Sequence, residues 1–436
     1  MDNTYTLPFR DGNSPHTGNI RVVNLDIGRS VLVLGETGSG KTEAIRLMTY
    51  QFINYIKNTN GGPIVVFDYK DDYKRFFENI ATGFETKVVA IDQNQSDVTW
   101  NIFEEVESMA EFEEIGRILF KQYEEQSRNP FFPQAARQVF VSLLKGFYEH
   151  HDTPVNLDIL ATLNKCDAEE LHQKLTDGGY IAEASHIDPA ARKQSAGVFS
   201  NLQMVVSELL KGNFGSSGEF SIRRYMSDPG TEVLILDFPL DRGETVKPVY
   251  RFYIDWAIRH ALGATDSPAF FILDEFQTIP GLEKIERLVN AGRAQNAYGI
   301  LGLQSVSQLN STYGEASAQS ILSGLAQEVL LRPGDSASIN HIRTRMGREI
   351  VERDVAEPDD TYDRDLEGKL EQTPDTVTIT DEEYPISEAD LQTFQAGEAI
   401  VITKEGNTRG RLWQLDPILQ KPRLSNLREV IEQGRQ

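Results

Sequence analysis

The run Gly35-Glu36-Thr37-Gly38-Ser39-Gly40-Lys41-Thr42 constrains this chain more than any other eight residues in it. It fits GxxxxGK[ST] without departure. An apolar, β-branched run, Ser30–Leu34, leads into it, and an amphipathic stretch, Lys41–Lys57, leads out, with Ala44, Ile45, Met48, Phe52 and Ile56 on one stripe. A strand, a glycine-rich turn and a helix in that order form a cradle for phosphate. The glycines at 35, 38 and 40 let the backbone curl until successive N–H groups face one anion, and the helix N-terminus adds its partial positive charge. Lys41 then reaches the β- and γ-phosphates of ATP, Glu36, Thr37 and Ser39 complete the loop, and the Thr42 hydroxyl is a ligand for Mg²⁺.

A second element belongs with the first. Phe270–Glu275 (FFILDE) is an apolar strand that ends in two acids. A carboxylate at the mouth of a sheet is costly without a cation. With Mg²⁺ as that cation, Asp274 holds the metal through water and Glu275 takes the proton from an attacking water. The chemistry expected of the pair of motifs is ATP hydrolysis.

Other short apolar runs read as buried strands: Ile64–Asp68, Lys87–Asp92, Val233–Phe238, Gly299–Gln304, Val329–Leu331 and Ala399–Ile402. They are apolar on both faces, as central strands of a parallel sheet are. Their alternation with helical patterns predicts a doubly wound α/β domain. From about Glu105 to Asp228 the strand signal gives way to helical periodicity in Phe112–Gln126, Pro133–His150, Leu157–Asn164, Ala168–Thr176 and Pro189–Lys211. The expected division is a discontinuous nucleotide-binding domain, 1–104 and 229–436, interrupted by an all-helical domain, 105–228. The stretch Glu352–Glu383 carries 13 acids against three cations and reads as a mobile surface excursion.

Composition narrows the setting. A lone cysteine, Cys166, rules out an internal disulfide, and no Cys/His spacing suggests zinc. The first residues lack the basic and apolar regions of a signal peptide, and no apolar run reaches bilayer length. The expectation is a cytoplasmic chain, peripheral to a membrane only through a partner. The net charge is −23, from 66 acids and 43 cations, of which 16 are lysine. Abundant acid with scarce lysine is expected of a halophilic protein. An ordinary acidic protein is the other reading.

The segment FILDEFQTIPGLEKIERLVNAGRAQNAYGILGLQSVSQLNSTYG resembles the motor domains of type IV secretion coupling proteins, the DNA-pumping ATPases of conjugation within the FtsK/HerA group. The resemblance rests on Asp274-Glu275-Phe276, Gly292-Arg293, Gln304-Ser305 with Gln308-Leu309, and Tyr313-Gly314. Asp68-Tyr69-Lys70 is similar to the family's Asp-Pro-Lys, with Tyr for Pro. Trp100-Asn101-Ile102-Phe103 is similar to its Asn-Pro-Leu/Phe, with Ile for Pro. The resemblance implies a RecA-like P-loop NTPase domain with a central, mostly parallel sheet and an all-α insertion. It implies assembly as a ring, a homo-hexamer, moving DNA, with a relaxase or other secretion components and a membrane-anchoring partner. Arg293 would be an arginine finger in the neighbouring subunit's site, and Gln304 would sense the γ-phosphate or position the water. Lys70 is either a phosphate-side cation or a loop residue.

A strongly acidic DNA pump has two physical solutions. Cations can line a channel, with Arg343, Arg345, Arg348 and Arg353, or Arg223 and Arg224, as candidates. Otherwise a closed ring holds DNA by topology, where high salt removes the gain from counterion release. Two further functions stay open. One is a translocase for double-stranded DNA in repair, segregation or virion packaging. The other is a nucleotide-dependent switch without translocation.

Overall fold

Strands that are apolar on every residue need protein on both sides, and the centre of this fold supplies it. The computed structural model describes residues 4–10, 20–57, 61–70, 72–80, 85–90, 92, 94–239, 243–263, 267–279, 281–356, 363–364, 370–371 and 376–412. Its strands are β1 (Thr4–Arg10), β2 (Ile20–Asp26), β3 (Val31–Leu34), β4 (Ile64–Asp68), β5 (Glu85–Val89), β6 (Glu232–Asp237), β7 (Ala269–Leu273), β8 (Ala297–Leu303), β9 (Gln327–Leu330), β10 (Glu349–Ala356), β11 (Asp363–Arg364), β12 (Leu370–Glu371), β13 (Thr376–Glu383), β14 (Glu398–Thr403) and β15 (Gly406–Leu412). Eleven of them form one sheet in the order β2-β1-β15-β14-β9-β3-β8-β7-β4-β6-β5. From β9 to β5 all neighbours are parallel. From β2 to β9 they are antiparallel.

The period of two splits the central strands cleanly. Leu32, Leu34, Val65, Phe67, Phe271, Leu273, Leu301 and Leu303 enter one core, while Val31, Val33, Ile64, Val66, Phe270, Ile272 and Ile300 enter the other. The second core is covered by α1 (Lys41–Lys57) and α2 (Tyr73–Ile80), and takes Tyr5 and Leu7 from β1.

The first core is covered by the remaining helices. Between β5 and β6 the regular structure is helical throughout the described residues. It comprises α3 (Glu111–Gln126), α4 (Phe131–His150), α5 (Asn156–Lys165), α6 (Ala168–Asp177), α7 (Ile181–Ala184), α8 (Arg192–Leu209) and α9 (Ile222–Ser227), with short 3₁₀ turns. After β6 come α10 (Gly243–Ala261), α11 (Ile285–Ala291), α12 (Val306–Tyr313), α13 (Glu315–Gly324), α14 (Ser336–Met346) and α15 (Glu388–Gln392). The helical segment shares its core with α10. Trp100 is fully buried, its ring 5.4 Å from those of Phe252 and Tyr253, and its indole N–H donates to Glu105 Oε1 at 2.9 Å.

Two expectations change. Strands β1, β2 and β15 have no counterpart among the apolar runs of the sequence. They belong to the antiparallel wing, where strands can be solvated on one face and do not read as continuous apolar runs. The acidic stretch expected as a mobile surface excursion holds, in its described part, two antiparallel pairs, a ribbon of β10 and β13 and the short pair β11 and β12, so it carries regular structure while Glu352, Arg353, Asp381 and Glu382 stay exposed. Val355 pairs with Val377 in that register, and Arg353 is bridged to Glu383 at 2.7 Å. Residues 357–362, 365–369 and 372–375 of the stretch lie outside the described residues. Among the described residues, no helix is long and apolar enough to cross a membrane.

Trp100→Ala should destabilise the fold by about 3–5 kcal/mol, the range for deleting a buried aromatic. Urea unfolding reads this directly. A loss below ~1 kcal/mol would show that the helical segment is anchored elsewhere.

Candidate active site

In a parallel sheet the C-terminal ends of neighbouring strands open onto one crevice, and that is where both motifs emerge. The phosphate loop leaves β3 and enters α1. Gly38 and Gly40 take φ of +79° and +104°, a region that L-residues with a Cβ rarely enter. The Gly40 turn also lies against Gly397, whose N–H donates to Ser39 O at 2.8 Å. Ser39 Oγ is buried without a hydrogen-bond partner.

Lys41, at the start of α1, is buried and faces both acids that follow β7. Its Nζ lies 3.2 Å from Asp274 Oδ1 and 2.6 Å from Glu275 Oε1. Thr42 Oγ1 donates to Asp274 Oδ2 at 3.2 Å, and the buried Tyr73 hydroxyl donates to the same oxygen at 3.2 Å. Gly302 on β8 makes room for this carboxylate. A Cβ there would sit 2.3 Å from Asp274 Oδ1.

Glu275 is held in the left-handed region, at φ +57°. For a non-glycine residue this costs of order 1 kcal/mol, and such strain is characteristic of functional positions. Its Oε2 accepts from Gln277 Nε2 at 2.6 Å, and its Oε1 also lies 3.0 Å from Lys70 Nζ. Burial pushes the carboxyl up, but Lys41 and Lys70 outweigh it and hold the group below its ordinary range.

Gln304, at the end of β8, donates from Nε2 to Thr37 Oγ1 at 2.8 Å, so it borders the loop. Glu36 is paired with Arg332, which follows β9. Arg293 stands apart. It lies in the turn Gly292–Gln295 before β8, whereas Gln304 lies after it. A strand of that length, at about 3.3 Å per residue, separates them by roughly 20 Å. Arg293 is exposed, with no ion pair or hydrogen bond among the described residues.

The site thus joins Lys41, Thr42, Asp274 and Glu275 directly and adds Gln304 through Thr37. Tyr73 and Gln277 are additions that the sequence does not announce. Nothing local marks a tyrosine or an amide that meets an acid only after folding. The donor set suits Mg²⁺. Among the described residues no group of three or more His, Cys, Asp or Glu could hold a metal alone. Magnesium needs no such cage, since it is held by one or two protein oxygens together with substrate phosphates. The arginines considered as channel cations all face carboxylates: Arg343 with Glu388, Arg345 with Glu328, Arg348 with Glu382, Arg353 with Glu383, Arg223 with Glu107 and Arg224 with Glu104.

Known proteins share this fold. The family described as type IV secretion-system coupling protein DNA-binding domain matches residues 17–394. The chain is 22% identical over 302 residues to the coupling protein TraD of Escherichia coli (strain K12), covering 66% of this chain and 39% of TraD. It therefore spans about two fifths of that relative's length. The bacterial conjugative coupling protein TrwBdeltaN70, in its unbound monoclinic form, has the same fold, with a TM-score of 0.69 at 18% identity over 88% of this chain and 85% of that one. Plasmid coupling protein TrwB in complex with ADP and Mg²⁺ gives 0.68 at 18% identity, over 89% and 86%.

Lys41 compensates two buried acids, so its loss should be felt by the fold as well as by any ligand. Lys41→Ala should destabilise by roughly 3 kcal/mol, the low end for stranding a buried charge, because Lys70 stays on Glu275. Adding Asp274→Asn should recover part of that loss in urea unfolding. Equal stability of Lys41→Ala and the unsubstituted protein would mean that the ion pairs carry no net weight.

Proposed function

The chain belongs to the type IV secretion-system coupling protein DNA-binding domain family, and from that premise we propose that it is an ATP-driven DNA translocase of the coupling-protein kind. The observation that carries the reading is the position of Lys41 between Asp274 and Glu275 at the end of the phosphate loop. Lys41 exchanges its carboxylates for the β- and γ-phosphates. Thr42 and Asp274 would hold Mg²⁺, which supplies charge neutralisation at the phosphates. Glu275, ionised and gripped on both oxygens, takes the proton of the attacking water. Gln304, tied to Thr37, senses the γ-phosphate or positions that water.

The proposed assembly is a homo-hexameric ring, with residues 1–104 and 229–436 as the motor and 105–228 as an inserted helical domain. Arg293 is too far from its own phosphate loop to act there, and its exposure suits a finger that enters the neighbour's site. The partners proposed are DNA, a relaxase or other secretion components, and an anchor that brings a cytoplasmic chain to the membrane. The paired arginines favour a ring that holds DNA by enclosure over a channel lined by those cations. The acidic surface is proposed as a halophilic adaptation.

The direct test is ATP turnover with and without DNA, from low to molar KCl. Stimulation by DNA that persists in molar salt is expected. Turnover indifferent to DNA would favour a switch over a motor, and loss of fold in molar salt would remove the halophilic reading.

The trans finger has its own test. Glu275→Gln should bind ATP with Mg²⁺ yet turn it over at least ~100-fold more slowly. Arg293→Ala should lose ~10³-fold or more. Mixed, the two should regain activity at interfaces that join an intact Glu275 to an intact Arg293. No recovery in rings verified as mixed would remove Arg293 from this role.

A further inference from the structure

One turn at the site is not explained by the phosphate loop or the paired acids. Asp68 ends β4 and is almost fully buried. Its Oδ1 accepts from the N–H of Asp72 at 2.9 Å and Lys70 at 3.4 Å, and its Oδ2 from that of Tyr73 at 2.9 Å and Lys74 at 3.4 Å. One carboxylate therefore gathers four N–H groups between the end of β4 and the first turn of α2. The turn delivers two side chains to the site: Tyr73 to Asp274, and Lys70 to Glu275.

Lys70 and Lys41 share one oxygen of Glu275, at 3.0 and 2.6 Å. Lys41 also faces Asp274, at 3.2 Å, so the two lysines serve two acids and only Lys70 is given to Glu275 alone. The two lysines differ in what else they can do. Lys41 has another task, on the phosphates. Lys70 and Gln277 are then the remaining side-chain grips on Glu275, one on each oxygen.

We propose that Lys70 is a positioning residue that holds Glu275 Oε1 in place when Lys41 engages the phosphates. This rests on the ATPase reading above. Each carboxylate oxygen has about two lone-pair sites, so Oε1 can accept from Lys70 and still receive a proton. The lysine side chain is 41% exposed and reaches in from the solvent side, so replacing it removes little from the core.

The test compares Lys70→Met and Lys70→Arg with the unsubstituted protein. The readouts are kcat and KM for ATP, the Kd of a non-hydrolysable ATP analogue with Mg²⁺, and the thermal midpoint. Lys70→Met should lower kcat roughly 10- to 100-fold, the size of a charge-assisted hydrogen bond lost from the transition state. Its thermal midpoint should stay near that of the unsubstituted protein, because Lys41 still faces Glu275 in the free protein, its Kd should weaken far less than kcat falls, and Lys70→Arg should restore most of the rate. In a Glu275→Gln background Lys70→Met should have little further effect, because the group it positions is gone. An unchanged kcat overturns the proposal. So does a Kd weakened about as much as kcat falls, which would make Lys70 a phosphate ligand. Absence of turnover in the unsubstituted protein removes the ATPase reading and this role with it.

Discussion

A buried ammonium between two buried carboxylates sets the terms for everything around it. Lys41, Asp274 and Glu275 come from the ends of two strands, β3 and β7, which are separated in the sheet by β8. Burying any one of these charges alone would cost several kcal/mol. Together they are tolerable only if the strand ends are held in register. The sheet does this with residues buried on both faces, and Gly302 lets β8 pass beside Asp274 without a Cβ in the way. The strained backbone at Glu275 is held in turn by its surroundings: Thr278 N–H and Oγ1 both donate to the Glu275 carbonyl, at 2.9 and 2.8 Å.

The parts of the fold that are legible in the sequence are those with one dominant physical signal. Central strands such as Ile64–Asp68 are apolar throughout because both faces are covered, and α1 begins where the phosphate motif ends. Helices α3 to α6 and α8 follow their apolar periodicity closely, whereas the single turn α7 is too short to show one. The antiparallel wing is harder to read. In β1 the buried residues Tyr5 and Leu7 alternate along the strand, and β15 is Gly-Asn-Thr-Arg-Gly-Arg-Leu, largely polar. At the site, motif residues are legible because phosphate chemistry restricts them. The contacts of Lys70 and Tyr73 are not, because each meets its acid more than 200 positions away in the chain.

The loop after Glu275 connects that acid to the helical segment. Glu283 pairs with Arg117 at 2.5 Å and Lys121 at 3.0 Å, both on α3, and Lys284 pairs with Glu114 at 3.1 Å. Beneath them the N–H groups of Glu283 and Lys284 donate to the buried Asp255 on α10, at 3.1 and 2.9 Å. Burial pushes the Asp255 carboxyl up to about 6, against those two hydrogen bonds. A hydrogen-bonded acid under an ion-pair cluster resists sliding, because moving the loop breaks several polar contacts at once.

The loop is held on two sides. The far end of the loop is tied to α3 and α10, so Glu283 and Lys284 cannot shift without breaking those contacts. On its other side the loop meets α12, where Tyr313 OH donates to Ile279 O at 3.3 Å and Thr312 Oγ1 to Gln277 O at 3.5 Å. α12 starts just after Gln304, which is bonded to the phosphate loop. The loop after Glu275 and the helix that follows Gln304 therefore touch each other, at Gln277 and Ile279 on one side and Thr312 and Tyr313 on the other. A side chain that holds Glu275 still, as Lys70 does, acts at the start of the segment whose next residues, Gln277 and Ile279, make those contacts.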